Sequence, residues 1–143
     1  MTSDPSLSRP VPVVRLILPN DAGRVLILKR ARTAYAEGAW CLPGGKVDYG
    51  ETAEQAVVKE LREETELRCE RARFLFYQDS LPLQPGGMHC INLYFECRAG
   101  GTLVLNPESS ASAWIGREEL GTHPLAFRND EGLRRYWDRT PYD

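Results

Sequence analysis

Glu60, Glu63 and Glu64 stand three and four positions apart within a run from 52 to 67 that contains no Gly or Pro. A helix turns about 100° per residue, so residues at those offsets fall on one arc. Ala53, Ala56 and Val57 lie one turn earlier on that arc and Leu61 borders it, whereas Gln55, Lys59, Arg62 and Glu66 cluster on the opposite side. An acidic run is usually a solvated helix face. Here the carboxylates share the side of the small and apolar residues that should face the protein, while Lys59 to Glu63 and Arg62 to Glu66 have the spacing of weak surface pairs. Crowded carboxylates repel one another, partial burial makes their ionisation costlier, and a divalent cation removes the conflict. Oxygen ligands in this number suit magnesium or manganese rather than zinc, and magnesium commonly keeps waters and binds substrate phosphates. The chemistry these residues predict is metal-assisted work on phosphate.

The preceding loop, Leu42-Pro43-Gly44-Gly45-Lys46-Val47, places two glycines where backbone can approach a ligand closely, followed by a cation able to meet phosphate oxygens. A Gly-Gly pair alone is more often a turn. Followed by Lys46, then Gly50-Glu51, then the acidic helix, it carries more. On these residues the chain resembles the Nudix hydrolases. The signature of that family is Gly, five residues, Glu, seven residues, then Arg-Glu-apolar-any-Glu-Glu-any-Gly-apolar. It runs here from Gly45 through Glu51 to Lys59-Glu60-Leu61-Arg62-Glu63-Glu64-Thr65-Glu66-Leu67. Trp40-Cys41-Leu42-Pro43 resembles the family's approach to the box, and the general similarity extends from about Val13 to Leu120. Lys59 stands where the family has Arg, and Glu66 where it has Gly. Lysine keeps the charge but lacks the planar fork that holds a carboxylate bidentately. Glu66 implies either a slightly longer helix or a left-handed residue at its end.

The resemblance implies an α+β fold, an α/β/α sandwich with a mixed β-sheet. It also implies hydrolysis of a nucleoside diphosphate linked to another group, by water attack on phosphorus, with a small-molecule substrate of nucleotide or nucleotide-sugar type. Mg2+ is the implied cofactor, and Mn2+ can substitute. Carried over by position, Glu60 and Glu64 are metal ligands, Glu63 contributes directly or through water, and the Gly44 carbonyl adds an oxygen. Glu60 and Glu63 are the implied catalytic carboxylates, with Glu108, Glu118 and Glu119 as further general-base candidates outside the box. Arg30, preferred over Lys29 and Arg32, joins Gly45 and Lys46 in substrate binding, while Glu51 and Lys59 support the box. Two other readings are a non-catalytic nucleotide-binding or regulatory domain and an RNA-end pyrophosphohydrolase. The intact Glu60, Glu63 and Glu64 argue against the first, and a net charge of -2 without a basic stripe argues against nucleic acid as the partner. A homodimer is in keeping with many relatives.

The elements that must position these residues follow from the rest of the chain. Its 143 residues, 42% hydrophobic and 27% charged, suit one globular domain, expected over 11–143 after a flexible tail at 1–10. Cys41, Cys69, Cys90 and Cys97 form no CxxC pair and read as reduced thiols of a cytoplasmic protein. No apolar stretch is long enough to span a bilayer, so no membrane association is expected. Residues 11–18 and 25–29 read as strands joined by turn residues at 19–23, which predicts a hairpin. Thr52 and Gln55 have capping-box spacing at the start of the acidic helix. Further strands are expected at 73–78, 90–97, 102–105 and 113–115, a helical turn at 117–120 and a final helix at 130–138 capped by Asn129 or Asp130. Tyr77, His89 and Tyr94 fall near strands that could line the cleft, and Trp40 and Trp114 read as core aromatics.

Overall fold

The computed structural model describes residues 9–33 and 36–139; the expected tail at 1–10 lies outside them except for Arg9 and Pro10. The first two strands, β1 (Val11–Ile17) and β2 (Val25–Arg30), are dense in Val, Ile and Leu because they are covered on both faces. Val14, Leu16 and Leu18 point one way with Leu26 and Leu28, into a core shared with Ala56, Val57 and Leu61 of the helix α1 (Ala53–Thr65). Ile17, Val25 and Ile27 point the other way, against Leu133 and Tyr136 of the last helix, α2 (Asn129–Asp138). The period of two along each strand therefore distributes alternate side chains to two cores. The layers are helix, sheets, helix, an α/β/α sandwich.

The middle layer consists of two sheets. β4 (Gly44–Lys46), β1, β6 (Cys90–Gly100) and β5 (Arg68–Ser80) form a mixed sheet in that order, in which β1 runs parallel to β6 and antiparallel to β4. β3 (Trp40–Cys41), β2 and β7 (Ser109–Ile115) form an antiparallel sheet. The hairpin expected from β1 and β2 does not form. Both edges of each strand are taken by other partners, and in place of a ladder there remain a bridge between Pro19 and Val25 and bonds from Leu26 N to the Leu18 carbonyl at 3.3 Å and from Asn20 N to the Arg24 carbonyl at 2.8 Å.

At the start of α1, the Thr52 hydroxyl accepts the Gln55 amide at 3.0 Å while the Gln55 side chain accepts the Thr52 amide at 2.8 Å, completing the capping box. The helix stops at Glu66, which adopts φ 59° and donates its amide to the Arg62 carbonyl at 2.9 Å. A non-glycine residue thus takes the left-handed conformation that glycine usually supplies at this point. The expected strand at 102–105 is a loop instead, because Val104 N donates to the Thr65 carbonyl left open at the helix end. Asn129 does not cap α2 either. Arg128 holds that position with φ 58°, and the buried Asn129 side chain turns inward to accept the Leu42 amide at 2.9 Å. Trp114, expected in the core, is 39% exposed on β7. No helix among the described residues is long and apolar enough to cross a membrane.

Replacing Thr52 by Ala removes the reciprocal cap and is expected to cost about 1 kcal/mol. Leu61→Ala, at a fully buried site, should cost roughly 2–5 kcal/mol. Urea denaturation midpoints check both, and a Leu61→Ala midpoint equal to wild type would contradict the two-core packing.

Candidate active site

A cleft of about 280 Å³ opens where β4, the second half of α1, the middle of β1 and the end of β2 meet. It gathers Arg30, Gly44, Gly45, Lys46, Glu60, Glu63 and Glu64, all singled out in the sequence, together with Arg15, Asn106, Glu108 and Phe127. Its acidic wall depends on a close approach of backbone to helix. Gly44 N donates to Glu64 Oε2 at 2.8 Å, and a Cβ on Gly45 would fall 2.6 Å from both Glu60 carboxylate oxygens. A Cβ on Gly44, whose φ is +153°, would collide with the Val14 carbonyl of the adjacent strand. The two glycines therefore let β4 lie between β1 and α1 with no side chain in the gap.

Glu60 and Glu64 are half-buried, whereas Glu63 is exposed at the cleft mouth, so the inward arc read from helical phase holds for two of the three carboxylates. Burial, reinforced by Glu63, raises Glu60 to about 7. Burial raises Glu64 to about 8, opposed by its bond from Gly44 and reinforced by Glu60. Among the described residues no three acidic, His or Cys side chains already converge on one point. The donor set nevertheless fits a hard divalent cation: two adjacent half-buried carboxylates resist ionisation in its absence, and Glu63 and Glu108 add further oxygens at the same cleft.

Lys59 does not pair with Glu63 on a solvated face. Its Nζ lies 2.6 Å from Asp48, 2.8 Å from Glu51 and 3.8 Å from Glu60. Those partners hold its pKa above the usual lysine value. Glu51 also accepts the Asp48 amide at 2.7 Å, which with Lys59 draws the carboxylate below its ordinary range. Glu51 thus closes the loop ahead of α1 and lies outside the cleft lining, with Asp48 as a partner that box spacing did not reveal.

The opposite wall is cationic. Arg15, in the middle of β1, is 4% exposed and donates from Nε to Asn92 Oδ1 at 2.9 Å. Its guanidinium lies 4.4 Å from the Phe127 ring centre, and that of Arg30 lies 5.0 Å from the same ring. Asn92 Nδ2 donates in turn to Gln78 and to the Phe127 carbonyl at 2.9 and 3.0 Å, and Gln78 receives Tyr94 OH at 2.8 Å while donating to the Arg128 carbonyl. This buried network pins Phe127 and Arg128, both with positive φ, 59° and 58°. Arg15 was missed by sequence reading. Its only signal there is a charge inside an otherwise apolar strand, Val13-Val14-Arg15-Leu16-Ile17.

Several expected positions lie elsewhere. Glu118 and Glu119 pair with Arg24, away from the cleft, and only Glu108 of the outlying base candidates lines it. Lys29 and Arg32 are not in the lining, Tyr77 is exposed on β5, and the His89 carbonyl anchors the start of β1 by accepting Val11 N. Tyr94 is buried below the cleft in the polar network, and the half-buried Trp40 meets the His123 ring edge-on. Cys41, Cys69, Cys90 and Cys97 are all free thiols.

Three measurements follow from this geometry. Glu60 and Glu64 have folded-state pKa values above that of an unfolded chain, so the fold holds more protons than the unfolded state and stability falls as pH rises through this window. In metal-free buffer the melting temperature should decline between about pH 5 and pH 8. Saturating Mn2+ should flatten that decline and release protons on binding near pH 6.5, as read by calorimetry in buffers of different ionisation enthalpy. Gly45→Ala should displace Glu60 and weaken Mn2+ binding by roughly tenfold or more, and unchanged affinity would contradict the close approach.

The comparisons with known proteins agree with this architecture. The family model described as NUDIX domain matches residues 9–136. A nudix hydrolase of Caenorhabditis elegans is 33% identical over 123 residues, covering 83% of this chain and 32% of the relative. The ADP-ribose pyrophosphatase of Methanocaldococcus jannaschii is 32% identical over 114 residues, covering 79% of this chain and 65% of the relative. The crystal structure of a MutT NUDIX hydrolase from Burkholderia pseudomallei superposes with a TM-score of 0.79 at 30% identity, covering 88% of this chain and 97% of that one. The chain thus spans about a third of the first relative and just under two thirds of the second. With a family match over nearly its whole length and the fold shared with a solved member, this chain belongs to the Nudix hydrolase family.

Proposed function

We propose that the chain is a metal-dependent pyrophosphohydrolase that cleaves the diphosphate linkage of a small nucleotide-type substrate. The observation that carries this reading is the pairing, across one cleft, of the half-buried Glu60 and Glu64 with the cations Arg30 and Lys46. An acidic wall suited to a divalent cation facing a basic wall suited to phosphate oxygens is what a phosphate-transferring site requires. Glu60 and Glu64, with Glu63 from the cleft mouth and an oxygen of the Gly44 backbone, would hold Mg2+, or Mn2+ in its place. Bound there, the cation would neutralise charge on diphosphate oxygens and acidify the attacking water.

The chain's own residues account for the remainder. Arg30 and Lys46 orient the diphosphate, and the absence of side chains at Gly44 and Gly45 leaves room for it against the backbone. Water adds to one phosphorus as the bond from that phosphorus to the bridging oxygen breaks. Its proton passes to a cleft carboxylate, and Glu63, the exposed one, is the assigned acceptor. Lys59 holds Glu51 and Asp48 and lies beside Glu60, so it acts on the rate through position.

Glu64→Gln is expected to lower turnover with Mg2+ by at least about 100-fold with an unchanged circular dichroism spectrum. Near-normal turnover would sink the assignment. Lys59→Arg should be neutral or mildly activating, since a guanidinium fork can meet both Asp48 and Glu51. The substrate class is found by offering nucleoside triphosphates, nucleotide sugars, ADP-ribose and dinucleoside polyphosphates with Mg2+ or Mn2+ and assaying released phosphate or pyrophosphate. Inactivity across the panel would favour a nucleotide-binding domain without catalysis.

A further inference from the structure

Arg15 stands apart from the other charged residues in its surroundings. It is 4% exposed, and no carboxylate among the described residues lies within ion-pair distance of it; Glu64 of the facing wall acts on it only at longer range. Its contacts are Asn92 Oδ1 at Nε, the Cys90 thiol and the face of Phe127. A guanidinium keeps its charge under all ordinary conditions, and burying one without an anion is costly. Removing an internal cation's need for a counter-ion usually falls to a neighbouring Asp or Glu. Here β1 offers none: Arg15 is flanked by Val14 and Leu16, and its register partners are Gly44 on β4 and Tyr94 on β6.

Its position opens the guanidinium to the cleft. Arg15 lines the same cleft as Glu60 and Glu64, beside the strand whose Gly44 amide holds Glu64. Arg30 enters from the next sheet to the same Phe127 ring. The ring, fixed by the Asn92 and Asn129 bonds to its carbonyl, orients two guanidiniums towards one end of a 280 Å³ cleft. Guanidiniums recognise phosphate oxygens bidentately and bind them most strongly where water is excluded.

We propose that Arg15 is a specificity-determining residue that, together with Arg30, binds phosphate oxygens of the substrate at the inner end of the cleft and favours phosphate chains with a further ionised phosphate over diphosphates capped by a neutral sugar. This deepens the pyrophosphohydrolase reading and rests on it. A nucleoside triphosphate offers a further ionised phosphate to the buried Arg15. A nucleotide sugar places uncharged hydroxyls there instead, and that mismatch lowers its transition-state stabilisation relative to the triphosphate.

The test compares UTP with UDP-glucose, which share a base, and reads tripolyphosphate binding separately from turnover. Wild type is expected to show the higher kcat/KM for UTP, and sodium tripolyphosphate in EDTA should raise its melting temperature. Arg15→Gln should shrink the UTP preference by about tenfold, chiefly through KM, and abolish most of the tripolyphosphate shift. Arg15→Lys should retain part of both. Should Arg15→Gln not fold, Arg15→Met, which fills the same buried stem, serves for the binding measurement. A full tripolyphosphate shift in the folded Gln or Met variant would overturn the proposal. So would a wild-type enzyme that turns over UDP-glucose as well as UTP, a result that leaves the pyrophosphohydrolase reading intact. If Arg15→Gln instead changes the GTP to ATP ratio while keeping the UTP preference, Arg15 reads the base and the proposal is likewise overturned. A wild type that hydrolyses neither substrate and does not bind tripolyphosphate overturns the proposal, and only inactivity across the wider panel removes the underlying reading as well.

Discussion

The site depends on how closely the backbone of β4 approaches α1. With side chains absent at Gly44 and Gly45, the strand fits between β1 and the helix, its amide reaches Glu64, and Glu60 packs over its surface. That contact sets the separation of the two carboxylates, holds the helix against the mixed sheet and leaves the cleft floor as bare backbone. The capping box at Thr52 fixes where the helix begins, and the Lys59, Glu51 and Asp48 cluster fixes the loop that delivers the chain to it. Changes to any of these act on the cleft through the same narrow gap.

Electrostatically, the cleft is a pair of opposed walls, each incomplete alone. The acidic wall holds carboxylates whose ionisation is resisted by burial, and the basic wall holds a buried arginine that Glu64 meets only at longer range, not in an ion pair. Folding does not neutralise the two walls directly against each other, because the space between them is the cleft itself. Buried polar groups of this kind cost stability in the fold. The network of Asn92, Gln78, Tyr94 and Asn129 beneath them bears no charge and is satisfied throughout, which lets it hold strained backbone at Phe127 and Arg128 without adding to that conflict.

Local chemistry made much of this legible in the sequence. The capping box, the end of α1 near Glu66, the placement of Gly44-Gly45 and the shared arc of Glu60 and Glu64 all depend on residues within one turn or one loop of each other. The errors concern partners distant in sequence. The turn at 19–23 is real turn chemistry, but whether its flanking strands pair depends on β6 and β7, which arrive some 70 or more positions later. Lys59 looked solvent-facing because helical phase cannot show that a preceding loop folds back over it. Asn129 has the composition of a cap, yet an unpaired amide at Leu42 claims its side chain. Arg15 is silent in the sequence for the same reason: one charge in an apolar strand has no local meaning until Arg30, Asn92 and Phe127 surround it.

The parallel pairing of β1 with β6 also bears on the order in which the molecule can be assembled. Val11 pairs with Cys90 and Ile17 with Glu96, so the central strand of the mixed sheet waits for chain almost 80 residues downstream. The cleft needs more still, since Arg15 is seated by Asn92 and Phe127. During synthesis α1, 13 residues long, is marginal by itself and gains its stability only when its apolar side packs on the sheets, which is also when its carboxylates meet the opposing wall. The cleft is therefore a property of segments spread from β1 to α2, and a nascent or truncated fragment carrying the intact glutamate motif lacks it.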